Sequence, residues 1–220
     1  MTRIGLVDGA LPPAWPDLAG QDWFCEADGA PHSGDHAVAM TRTIRARANA
    51  VDVLNAVVFP GRLSTSLEAI CNALAWLAED PPDIVLCAFG MTRSSADLAI
   101  AIARLQREGA IIVASAPAQG GSVYPAALYG VVSVQGDARC APGELSRLDL
   151  PHATFGACPQ AAGSCGIRGA SPAAAHVAGL LAHRDPALSA SASALLEPHI
   201  RYRGRERRND QREYAGRSSE

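Results

Sequence analysis

The chain has 220 residues and a mass of 22.8 kDa, enough for one domain with a full core and too little for two comfortable ones. Apolar residues make up 48% and charged residues 19%, which excludes intrinsic disorder, and no apolar run reaches the roughly 18 to 20 residues that a membrane-spanning helix needs. All 19 basic side chains are arginine and the formal charge is -3, so lysine Schiff-base chemistry is excluded and the overall charge gives no case for nucleic acid.

From the N-terminus, Met1-Thr2-Arg3 leads directly into Ile4-Gly5-Leu6-Val7, a buried-strand pattern too short for a signal-peptide core, and a cytoplasmic protein is expected. Asp8 and Gly9 follow at its carboxyl end. Residues 34–44 read as helix, with His36, Met40 and Ile44 at i, i+4 and i+8 on the inward face. Residues 51–59 form a second apolar strand. Over residues 64–79 the apolar positions Leu67, Ile70, Cys71, Leu74 and Leu77 keep helical spacing, with Ser64 or Ser66 as the cap.

Pro81-Pro82-Asp83 breaks that helix. Strand 84–88, helix 95–108 and strand 110–114 continue the alternation, and residues 131–134 add another strand. This rhythm predicts an α/β protein, a three-layer αβα sandwich on a mainly parallel sheet. Residues 135–168 show little periodicity and read mostly as loop. Helix returns over 172–183, with a last short one over 189–196. From Ile200 the core signal stops, which divides the chain into a domain at 1–199 and an arginine-rich tail at 200–220, read as a solvated end. Seven arginines against four acids leave the tail at +3 and the body at -6.

The six cysteines, Cys25, Cys71, Cys87, Cys140, Cys158 and Cys165, include no C-x-x-C pair. Cys71 and Cys87 fall inside apolar segments, so reduced thiols are expected rather than zinc sites or disulfides.

Three features carry chemistry. Asp8 stands at a strand end, where sheets of this class place catalytic groups, although an aspartate there equally caps a turn. His36 faces inward, where an imidazole can exchange a proton; His32 competes, but its i+4 position is His36 and its apolar stripe is lost. An isolated, partly buried histidine is more often structural. Ser171 lies before the helix opened by Pro172, in the positive field of that terminus and beside its own N–H, and it reads both as an N-cap and as a nucleophile given a nearby base.

Together these residues resemble a known family. The string GASPAAAHVAGLLA is similar to the nucleophile segment of the subtilisin-like serine peptidases, IGLVDGA to their aspartate strand, and HAVAMTRTI to their histidine helix, in the same chain order. VDVLNAVVF, DIVLCAFG and YPAALYGVVSVQG resemble intervening segments, so the likeness spans most of residues 4–199. The resemblance implies a subtilisin-like fold and a serine endopeptidase. In it Asp8 orients the base, His36 is general base and acid, Ser171 attacks the carbonyl, and Ala88, Phe89 and Gly90 pair with an extended peptide. It gives His176 a structural role.

Departures from the pattern are equally specific. The family's oxyanion asparagine aligns with Ala118, so either Gln119 or another group supplies the donor or the enzyme is slow, and Pro117 stands where glycine is usual. The prodomain and calcium loops of secreted members have no counterpart, so no metal and no cofactor is expected. The trimmed form resembles peptidases that remove leader segments from ribosomally made, modified peptides. The partner this implies is a peptide or small protein, with the crosslinked small subunit of quinohemoprotein amine dehydrogenase as the named substrate, and neither nucleic acid nor membrane. The alternative is a catalytically silent fold of the same type that binds a peptide or scaffolds a complex.

Overall fold

The computed structural model describes residues 1–26, 32–48, 50–164, 166–183 and 191–205. Cys165, the side chain of His32 and the tail beyond residue 205 lie outside the described residues. Nine described strands form one sheet: β1 Thr2–Asp8, β2 Leu18–Trp23, β3 Val51–Val57, β4 Ile84–Cys87, β5 Ile111–Ser115, β6 Val132–Gly136, β7 Leu145–Arg147, β8 Phe155–Ala157 and β9 Ile200–Arg203. Their order is β2-β3-β1-β4-β5-β6-β8-β7-β9, with every neighbouring pair parallel except β7 and β8.

Helices cover both faces. α1 His32–Arg45 and α4 Ala170–Ala182 pack Met40, Ile44, Val177 and Leu181 against Ile4, Leu6 and Val53, while α2 Leu67–Leu77 and α3 Ala96–Arg107 pack Leu74, Ile102 and Leu105 against Val7, Val85 and Ile112. Alternate residues of β1 thus feed two cores, as a pleated strand covered on both sides requires. The result is the expected α/β sandwich of three layers. A short helix α5, Ala192–Leu196, and a 3-10 turn, Glu197–His199, complete the described elements. No described helix is long and apolar enough to cross a membrane.

The topology opens a crevice at one place. The chain leaves β1 for β3 on one side, then crosses through α2 to β4 on the other side of β1. In open α/β sheets such a reversal leaves room beyond the carboxyl ends of the strands. Asp8 ends β1, and Ala88 follows the end of β4.

Several elements differ from the sequence reading. β2 is an edge strand whose sequence mixes apolar and polar, half-buried and exposed residues, so it carries no continuous apolar run. β7 and β8 are three-residue strands inside the segment read as loop. Ile200–Arg203, assigned to the tail, is instead the last strand of the sheet: Ile200 and Tyr202 are half-buried, Arg201 and Arg203 exposed, and the strand pairs with β7. Arg139 ties its exit by donating to the Gly204 carbonyl at 2.7 Å and lying 5.2 Å from the Tyr202 ring.

α2 and α3 start as their caps dictate, with Ser66 and Ser95 accepting from the N–H groups of Ala69 and Leu98. α4 does not. Its N-cap is Gly169, at φ 131°, and the helix begins at Ala170, so Ser171 is the second helical residue rather than the cap.

α4 also fixes how α1 lies. A Cβ on Gly179 would stand 2.6 Å from the Ile44 carbonyl oxygen and 2.9 Å from the Arg47 Cβ, so the two helices cross at glycine distance. Gly179→Ala gains about 1 kcal/mol of intrinsic helix propensity. It nevertheless meets backbone that cannot rotate away, and a net loss of about 1–3 kcal/mol is expected in urea unfolding. Unchanged or increased stability would contradict this crossing.

Candidate functional site

Asp8 is completely buried, which obliges its carboxylate to find partners inside the protein. Gly9 N–H donates to Oδ1 at 2.8 Å, and His36 Nδ1 lies 2.9 Å from Oδ1 and 2.8 Å from Oδ2. Backbone geometry makes this meeting possible. An added Cβ on Gly9 would fall 2.2 Å from the Ser33 carbonyl oxygen, so the first turn of α1 rests directly on that glycine.

His36 is 8% exposed and sits one turn into α1, above Met40 and Ile44 on the same face, as the register requires. Burial lowers its affinity for a proton, but the hydrogen bond and negative charge of Asp8 more than offset this and raise its pKa above the ordinary 6.5. Because Nδ1 is committed to Asp8 as a donor, Nε2 is the nitrogen left for other chemistry.

Ser171 lies in the first turn of α4, where backbone N–H groups have no intrahelical acceptor and the helix field favours negative charge. Its hydroxyl donates to the Ala88 carbonyl oxygen at 2.9 Å. His36 and Ser171 line the same cavity, of about 370 Å³. No hydrogen bond between them is formed, so in this state the serine proton is turned toward β4.

The cavity wall is largely apolar. Phe59, Leu63, Ile70, Phe89 and Met91 line it, with Phe59 and Phe89 packed edge to face at 6.1 Å. Sequence reading missed all of these except Phe89, because an apolar residue at a strand end or in a helix is indistinguishable from core. Thr65 also lines it, with a buried hydroxyl that has no partner. Among the described residues no backbone hydrogen bond involves Phe89 or Gly90, whereas Met91 exchanges a pair with Tyr124 at 2.8 Å. Phe89 and Gly90 therefore present open backbone groups next to Ala88, whose carbonyl holds the serine hydroxyl, and these are groups that can meet an oxyanion or a peptide strand.

Gln119 is placed elsewhere. It is exposed and lines a different cavity with Gly120, Ser122 and His152, and it is not among the residues lining the cavity of His36 and Ser171. The loop after β5 leaves the sheet through Pro117 and carries both Ala118 and Gln119 to that other cavity.

His176 is 1% exposed, and its Nε2 donates to the Gln160 carbonyl at 2.9 Å; burial holds its pKa below the ordinary value and Arg47 adds to this, against the opposing Gln160 bond. It is buried within α4. The thiol of Cys87, fully buried next to Ala88, is pushed up to about 12 by burial, which removes it as a nucleophile. No described group of three or more His, Cys, Asp or Glu side chains could hold a metal ion.

No protein-family model matches the chain, and no curated protein matches its sequence significantly.

The Asp8–His36 pair makes a direct prediction. By NMR, the His36 ring should titrate above 6.5 and move down in Asp8→Asn. Since the folded pKa is raised, the pair contributes stability that is fully present below the unfolded value and fades as pH rises through the folded one. A His36 midpoint at or below 6.5 would contradict the geometry.

Proposed function

We propose that the chain is a subtilisin-like serine endopeptidase with Asp8, His36 and Ser171 as its triad. The observation that carries the reading is the buried Asp8–His36 pair, opening through His36 into the same cavity as Ser171 at the start of α4. In the proposed reaction an extended peptide lies along Ala88, Phe89 and Gly90, and one of its N–H groups takes the Ala88 carbonyl. That releases the Ser171 hydroxyl toward His36. Nε2 accepts the proton as Oγ bonds to the scissile carbonyl carbon, the Ser171 N–H donates to the oxyanion, and the imidazolium returns the proton to the departing amine. Water then hydrolyses the acyl-enzyme by the same proton relay in reverse.

The substrate class follows the resemblance to leader-removing processing peptidases. The proposed substrate is the crosslinked small subunit of quinohemoprotein amine dehydrogenase, and the proposed protein is the subtilase of that enzyme's biogenesis. Apolar walls beside the serine support a hydrophobic residue near the scissile bond. Cytoplasmic action belongs to the same proposal, and the buried thiols of Cys87, Cys140 and Cys158, none of them in a disulfide, support it.

A second reading, a silent peptide-binding or scaffold protein of this fold, is favoured by two observations: Ser171 donates to Ala88 rather than to His36, and Gln119 lies away from the site. A fluorophosphonate probe separates the two. Wild type should label at Ser171, and Ser171→Ala should neither label nor cleave the precursor subunit, with cleavage lower by about 10⁴-fold or more. Losing the Ala88 hydrogen bond costs about 1 kcal/mol of stability, so the variant stays folded. Labelling absent in wild type, or cleavage persisting in Ser171→Ala by mass spectrometry, overturns the peptidase reading.

A further inference from the structure

Asn55 is an anomaly in the sheet. It lies in β3, level with Leu6 of β1 and Gln21 of β2, and on the α1 side, where its strand neighbours Val51 and Val53 join the core. The residue has no exposure, yet it carries a carboxamide. Nδ2 donates to the Gly9 carbonyl at 3.0 Å and to Gln21 Oε1 at 2.6 Å. Gln21 in turn accepts from the Leu11 N–H at 2.8 Å and donates to the Leu11 carbonyl at 3.3 Å. A carbonyl can only accept, so the atom facing Gly9 must be the nitrogen. Oδ1 is then left buried with no partner. A half-satisfied amide in an apolar layer lowers stability, and an apolar side chain there would leave no unpaired polar atom. Its bonds therefore point to a role outside packing.

Those bonds converge on the turn that holds the triad's carboxylate. The β1–β3 ladder ends at Asp8, whose carbonyl accepts from Val58 N–H at 2.9 Å. Beyond it the Gly9 carbonyl has left the ladder, and Asn55 supplies its donor. The N–H of that same glycine holds Asp8 Oδ1, and its open side seats Ser33 of α1. We propose that Asn55, braced by Gln21, is a positioning residue that holds the Gly9 turn and thereby the orientation of the Asp8 carboxylate toward His36. The inference rests on the triad reading for its catalytic meaning but not for its geometry.

Asp8 is the charged group that acts on His36. Phe59, Leu63, Ile70, Phe89 and Met91 bring no charge to its cavity, and the neighbouring Asp35 on α1 is exposed and lines another. The titration of His36 therefore reports how well Asp8 is aimed. The test uses the full chain with Asn55→Leu, Gln21→Leu and Gln21→Glu, the last keeping an acceptor for both Leu11 N–H and Asn55 Nδ2. NMR follows the His36 midpoint, a fluorophosphonate probe gives the labelling rate and its pH profile, and thermal melts confirm folding.

Asn55→Leu and Gln21→Leu should lower the His36 midpoint and slow labelling by roughly ten- to a hundredfold, the scale set by misplacing a catalytic group by about 1 Å. Gln21→Glu, which keeps the acceptor and loses the donor to the Leu11 carbonyl, should label faster than Gln21→Leu. Gln21 is only half-buried, so Gln21→Leu carries the test if Asn55→Leu does not fold. Folded variants that keep the wild-type midpoint and rate, or that change only in melting temperature, overturn the proposal. If wild type does not label at all, the peptidase reading fails, while the midpoint still decides whether Asn55 aims Asp8.

Discussion

A carboxylate removed from water must be met by donors, and Asp8 has no exposure. Its donors are an imidazole and the next residue's N–H, so the end of β1, the first turn of α1 and the Gly9 turn are tied together by that need. Gly9 has no room for a side chain because α1 rests on it. Gly179 has none because α1 is pressed from the other side by α4, the helix that carries Ser171. Gly9 thus sets how closely α1, with His36, approaches the end of β1, and Gly179 how closely it approaches α4, with Ser171. Side chains at either position would open the arrangement more surely than changes on the surface would.

The parallel core was legible because its strands are continuous apolar runs with helices between them. What escaped were the edges. β2 and β9 each have a side without a sheet neighbour, so their sequences, LAGQDW and IRYR, mix polar and apolar residues like any surface segment. Arginines 201 and 203 alternate outward from Ile200 and Tyr202, a period-two pattern too short to stand out from the charged run that follows. Helix starts were legible where a serine side chain does the capping, at Ser66 and Ser95, and not at α4, where backbone conformation at Gly169 replaces a side-chain cap.

The site divides along the same line. Position made Asp8 and His36 candidates, one at a strand end and the other on an inward helix face, and the ordered resemblance with Ser171 singled them out. Asn55 and Gln21 could not, since their contacts link residues 46 and 34 positions apart and neither stands in a local pattern. The expectation for Gln119 rests on matching a loop to a family pattern across Pro117. A ring at that position fixes φ and deletes a donor, so a loop that carries it follows its own course. The structure gives that loop a different cavity.

The two halves of the site are therefore prepared unequally. On the peptidase reading the acid–base half is the buried Asp8–His36 pair, with Asn55 of β3 donating to the Gly9 carbonyl beside it. The proposed oxyanion half offers a helix N-terminus and backbone, and among the described residues no carboxamide lines the cavity beside Ser171, where the Ser64 and Thr65 hydroxyls stand instead. On the peptidase reading, a missing side-chain donor corresponds to about 10²- to 10³-fold in turnover, while general acid–base assistance supplies about 10²- to 10⁴-fold. Chemistry of that strength is enough for a substrate held in place and slow toward one that merely collides. The serine proton adds to the discrimination, because it rests on the Ala88 carbonyl that an extended peptide would occupy. A strand seated along residues 88–90 would displace it, coupling attack to correct docking, so that selectivity resides in the binding segment and the apolar wall rather than in reactivity.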